Sequence, residues 1–232
     1  MKILQVNNAF LMSVTAALIG LVLLMSSFLL MEPVVSQAAV DEFTVSQTIT
    51  GEISFNASTT DVTMAPAIAG LTGGTSNGTT QVVVTTNNAT GYNMTIQFSS
   101  STAMYRNGGS GEIENYNPVA PGVADLAFDA GGAETFGQFA FSAYSTTNAG
   151  DIATAFLNDG GTCGAGALAA IDTCWLNPSS TAAKVIVNRV TATPSGGATT
   201  TIQFRVEVPN NPSPAIPTGT YTATATLTAI TN

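Results

Sequence analysis

Apolar and polar residues alternate along most of this chain with a period of two. Tyr92, Met94, Ile96 and Phe98 alternate with Asn93, Thr95, Gln97 and Ser99. Ile202, Phe204, Val206 and Val208 alternate with Gln203, Arg205 and Glu207. Tyr221, Ala223, Ala225, Leu227 and Ala229 alternate with Thr222, Thr224, Thr226 and Thr228. Successive side chains on a strand point to opposite faces, so each run predicts a strand with one dry side and one wet side. Shorter runs predict two strands about Gly51 within 41–58, and others at 123–128, 137–145 and 182–192. Residues 61–81 begin as a strand and pass into a Gly/Thr/Asn loop. The turn residues at 87–91 predict a hairpin between 82–84 and 92–98. Pro194-Ser195-Gly196-Gly197 predicts a second one between 182–192 and 199–209. Only "GALAAIDTCWL" has helical potential in the body of the chain, and it is short. About ten to twelve short strands at regular spacing predict an all-β fold, an antiparallel β-sandwich of Ig-like or jelly-roll-like type.

The N-terminal stretch breaks this pattern. "FLMSVTAALIGLVLLMSSFLLM" is apolar on every side, with Lys2 before it, Pro33 after it, and small residues at Ser36 and Ala38. That order predicts a hydrophobic helix serving as a signal peptide over 1–38, cut after Ala38. An uncleaved anchor is the alternative, because the run is long enough to span a bilayer. The sandwich domain is then 39–232. A weak echo between "VTTNNATGYNMTIQF" and "VEVPNNPSPAIPTGTYTATATL" suggests two sheet-sharing halves with a join near 102–136. The final strand is expected to complete the chain's own sheet, with donation to a neighbour as the other option.

Composition sharpens the picture. Charged residues make up 8% of the chain, hydrophobic ones 45%, and the formal net charge is −9. An acidic surface without a basic patch excludes nucleic-acid binding. The chain has no His, so it lacks the usual neutral-pH base and the commonest metal ligand. Lys184 has no S-x-x-K context to activate a serine. Glu112 and Glu114 lie two apart, as a carboxylate pair for glycoside hydrolysis would need, but Trp175 is the only Trp. The expectation is a protein without catalytic activity.

Three further groups stand out. Cys163 and Cys174 predict a disulfide once the chain is exported. Asp125, Asp129 and Glu134 are oxygen ligands among glycines and are the candidates for a structural calcium, the one cofactor considered. Tyr105, Tyr116 and Trp175 are the candidate ligand-contact aromatics.

The block 53–104 contains Ile68-Ala69-Gly70-Leu71-Thr72-Gly73-Gly74, a Val-rich strand, Thr-Asn-Asn and Gly91-Tyr92-Asn93-Met94. It resembles a recurrent block in uncharacterised secreted Thr/Asn-rich surface proteins of small-genome bacteria. Pro217-Thr218-Gly219-Thr220-Tyr221-Thr222 resembles the closing strand of that group. The resemblance implies a β-sandwich outside the cell and carries no catalytic residue. The functional expectation is an exported structural or adhesive surface protein that assembles with its own copies. The alternative is an extracellular carbohydrate-binding module for cell-surface glycans, assisted by calcium. Membrane contact is expected only through the N-terminal segment.

Overall fold

The computed structural model describes residues 2–30, 41–128 and 135–232. They fall into two units, Met1–Thr48 and Ile49–Asn232. In the first, helix α1 spans Lys2–Leu30. Its stretch Asn8–Phe28 has a mean hydropathy of 2.3 and no burial. At 1.5 Å per residue, such a stretch is about 30 Å long, the thickness of a bilayer's hydrocarbon core. By length and composition it is able to cross a membrane.

The second unit is all-β and holds ten strands among the described residues. They are β1 (Ile53–Ala57), β2 (Gly74–Thr86), β3 (Tyr92–Phe98), β4 (Met104–Arg106), β5 (Glu112–Asn115), β6 (Gln138–Tyr144), β7 (Lys184–Arg189), β8 (Ala198–Val208), β9 (Tyr221–Ala223) and β10 (Ala225–Thr231). Seven form one sheet in the order β1-β2-β8-β6-β5-β4-β9, and three form another in the order β10-β3-β7. All pairings are antiparallel except β5 with β6.

The dry faces meet between the sheets. Tyr92, Met94, Ile96 and Phe98 on β3 are all buried, as the alternation predicts. Phe98 reaches across to the larger sheet, 5.8 Å from the ring of Phe139 and 5.6 Å from that of Phe141. Each such side chain removed from water stabilises the fold by about 1.5–3 kcal/mol. Strand β6 is buried on both faces over nearly its whole length. Its outer face carries a second small core of Tyr116, Ala140 and Trp175, with Phe128 packed beside them. Arg205 lies over this cluster, 4.6 Å from the Trp175 ring, and its Nε donates to Asn77 Oδ1.

Both expected hairpins are instead connections between sheets. Strands β2 and β3 do not pair with each other: β2 pairs with β1 and β8, and β3 with β7 and β10. Likewise β7 and β8 belong to different sheets. Period-two patterning states which face is dry, but not whether two consecutive strands lie side by side or face each other across a core. Here Val82 and Val84 face the same core as Met94 and Ile96. The chain therefore arches over the end of the sandwich.

Other expectations are corrected too. The expected loop before Val82 belongs to β2, which pairs with β8 from Gly74↔Val208 to Val84↔Ala198. Glycine and threonine there serve packing, since Gly78 leaves room for Val62. No strand forms at 123–128, where Asp125 makes a single bridge to Trp175. The stretch "GALAAIDTCWL" is loop and isolated bridges, not helix. Residues 49–232 form one unit, in which β2 pairs with β8 and β3 with β10 across the chain's length. In the echo, each Asn-Asn segment follows a strand of the large sheet, but the first leads to β3 of the small sheet and the second to β9 of the large one.

Candidate functional site

The two cysteines are joined, with Cα atoms 5.6 Å apart and eleven positions apart in sequence. The disulfide closes the loop that leads into Trp175, and hydrogen bonds tie that loop to β6. Ser142 Oγ on β6 donates to Thr173 O, and Leu176 N donates to Phe141 O.

The candidate aromatics do not gather on the surface. Trp175 and Tyr116 are 0% and 1% exposed, so they are core residues of the outer cluster. The expectation of an exposed trio is corrected by burial under Phe128 and Arg205. Tyr105 is 42% exposed and lies elsewhere, on β4. With Glu112, Glu114, Phe136, Pro214 and Pro217 it lines an open cleft of ≈ 400 Å³. Pairing of β4 with β5 sets Tyr105 opposite Glu112, and alternation puts Glu112 and Glu114 on the same exposed side of β5.

Of the three candidate calcium ligands, Asp125 alone falls among the described residues; Asp129 and Glu134 lie outside them. Asp125 Oδ2 accepts hydrogen bonds from Tyr116 Oη at 2.7 Å and Val119 N at 2.9 Å. It is a loop staple in this arrangement. Among the described residues no three acidic, His or Cys side chains cluster as metal ligands would.

A different constellation was only half legible. Phe43, Val45 and Ile49 continue the period-two pattern, yet residues 41–52 form no strand. These three side chains are 84%, 83% and 83% exposed. Where this arm joins the sandwich, the Asn87 side chain acts as a substitute strand. Its Oδ1 accepts from Glu52 N at 2.6 Å, and its Nδ2 donates to Thr50 O at 3.1 Å. Gly51 takes no positive φ. Of the two strands expected about Gly51, only the one after it forms, as β1.

The side of the sandwich where β1 borders β10 is incompletely closed. Phe55 on β1 sits opposite buried Val84, hence on the core side, yet it is 39% exposed. Leu227 and Ala229 on β10 sit opposite buried Ile96 and Met94 and are only partly buried. Among the described residues, the small sheet has no further strand beyond β10. The opposite edge, β7, is covered: Ala153 N donates to Ile186 O, and Ile152 bridges Val187. In the large sheet, edge strand β9 has three residues and β1 is interrupted by a register shift. β10 is therefore the longest regular free edge.

Strand β10 itself is firmly held. It pairs with β3 over seven residues, and Asn232 locks the corner through hydrogen bonds to Gly91 O, Thr90 O and Arg189 O. In this structure the last strand completes its own chain's sheet, splitting at Thr224 so that β9 stays with the large sheet. No protein-family model matches the chain, and no curated protein is similar to it.

Proposed function

We propose that this chain is an exported, non-catalytic structural protein of the cell surface, whose sandwich is a building block that associates with its own copies. The observation that carries the reading is the exposed, unpaired, strand-patterned arm at 41–52, set in a chain with a free sheet edge. An enzyme gains nothing from such a pair of surfaces; an assembling scaffold does. Export is supported by the apolar helix at the N-terminus and the Cys163–Cys174 disulfide, which an oxidising compartment preserves. Cleavage after Ala38 would leave the arm near the mature N-terminus; retention of α1 would tether it at the membrane. The sparse charge fits a surface solvated by Thr and Asn hydroxyl and amide groups, and 8% charged residues leave little to hold copies apart.

The test is surface labelling of intact cells combined with sedimentation of the purified full chain. The scaffold reading expects labelled, disulfide-bonded protein that sediments as multimers. A reduced, intracellular monomer contradicts it.

One observation favours glycan binding as a second reading. Tyr105 is exposed in a cleft beside two carboxylates, an arrangement able to stack on a sugar face and accept hydrogen bonds from its hydroxyls. Loss of binding to a glycan array in Tyr105→Ala, with folding retained, would establish it.

A further inference from the structure

We infer that residues 42–51 are a donor strand that adds to the free edge of β10 in a second copy of this chain, with Phe43, Val45 and Ile49 covering that copy's seam at Phe55, Leu227 and Ala229. The inference rests on the scaffold reading and names its contact.

The arm is a strand in everything but its partner. Phe43, Val45 and Ile49 alternate with Glu42, Thr44, Ser46, Thr48 and Thr50, a strand-like pattern interrupted on its apolar side only by Gln47. Each large apolar side chain left in water forgoes about 1.5–3 kcal/mol of burial, and three of them stand exposed in the single chain. Among the described residues, backbone groups along the arm join no ladder either; Thr48 O and Thr50 O accept only from the side-chain amides of Gln47 and Asn87. The chain's own sandwich does not provide one. Within it, the base of the arm is held by a side chain rather than a strand, Asn87 bonding Glu52 N and Thr50 O.

The acceptor is complementary in three respects. Its free edge is seven residues long and regular. At about 3.3 Å per residue, a ten-residue arm spans some 33 Å and covers that edge with length to spare. The core-facing side chains beside the edge are small or incompletely covered: Ala225, Leu227 and Ala229 on β10, and Phe55 on neighbouring β1. Apart from Glu42 at the arm's start, neither partner carries charge where they would meet. From Phe43 to Gly51 the arm has no ionisable side chain, and neither has Ala225–Thr231. Copies with a net charge of −9 repel at long range, so an uncharged contact face avoids adding to that repulsion. Arm and seam are different surfaces of one chain, so each copy gives one and receives one, and the contact propagates head to tail.

The experiment uses the full chain in mild detergent, with Cys163–Cys174 left oxidised. A single cysteine is placed in the arm at position 43, 45 or 49 of one preparation. In another it is placed at 227 or 229, or at exposed Val119 as a control. Mixed and oxidised, arm and seam cysteines are expected to give disulfide-linked dimers about tenfold or more above the Val119 control, as for groups held together rather than colliding at random. A second variant carries Phe43→Asp, Val45→Asp and Ile49→Asp. Its side chains are exposed in the single chain, so melting is expected to be unchanged while association is lost, because docking would bury charge. Equal or absent cross-linking, or association undiminished in the triple Asp variant, overturns the donor strand. Multimers that survive without the arm leave the scaffold reading standing, whereas a wild-type chain monomeric at every concentration removes both.

Discussion

A methyl group missing at position 78 decides how one end of the sandwich is layered. A Cβ on Gly78 would stand 2.4 Å from Val62 Cγ1 and 3.2 Å from Met64 Cγ, so the chain before β2 can lie over that strand only because the side chain is absent. Gly78→Val is expected to lower unfolding stability by about 1–3 kcal/mol through overpacking. Gly196→Ala, at a site with nothing within 4 Å and no positive φ, should stay within about 0.5 kcal/mol of wild type. Chemical denaturation of both variants checks the contrast. Tyr92 offers a second residue-scale test. It is fully buried, and its hydroxyl has no protein hydrogen-bond partner. Burial first, then the nearby Asp151 carboxylate, push its pKa up to about 12 against the opposing pull of Arg189. The unfolded chain therefore loses this proton earlier, near pH 10. Stability from this group is full below pH 10 and is lost as pH rises towards about 12. Tyr92→Phe is expected to flatten that alkaline decline at little or no stability loss at neutral pH, since it removes a hydroxyl that bonds to nothing in the protein. Sequence alone reads such residues only in part. Tyr92 falls on a dry face by alternation, whereas Trp175 and Tyr116 sit in irregular loops where no period reports burial. The apolar neighbours of Trp175, Cys174 and Leu176, were the available signal.

Among the elements, strands were legible and their partners were not. Alternation found β3, β6, β8 and β10 because each has one face against the core and a repeat that only a strand supports. It misplaced the connections at 87–91 and 194–197, since an arch and a hairpin present the same dry faces in sequence. It also placed a second strand about Gly51, where residues 41–52 pair with no strand. The disulfide was readable because no other thiol or His competes for either cysteine. Its removal by Cys163→Ala with Cys174→Ala is expected to lower stability by about 3 kcal/mol on the chain-entropy account, and to loosen the Trp175 loop first. Tryptophan fluorescence during reduction reports that loosening directly. Deleting residues 225–232 should be far more damaging, because it uncovers Met94 and Ile96 on β3 and unpairs a strand of a three-stranded sheet. A chain that stays folded and monomeric without β10 would show that this strand is not needed to close the core.

For the molecule as a whole, the account joins an apolar N-terminal helix, an exposed arm, and a disulfide-closed sandwich with one long free edge. The proposed export and scaffolding rest on those parts taken together, and the proposed donor strand on the arm and the edge. Glycan binding at Tyr105 and the scaffold role call on different surfaces, so Tyr105→Ala should leave association untouched. The most direct measurement is amide hydrogen exchange on the full chain across a range of protein concentrations. The account predicts that protection of residues 43–51 and of 225–231 rises together with concentration, while β3 and β8 remain protected throughout. Exchange in the arm that stays fast at every concentration, with multimers present, would contradict it.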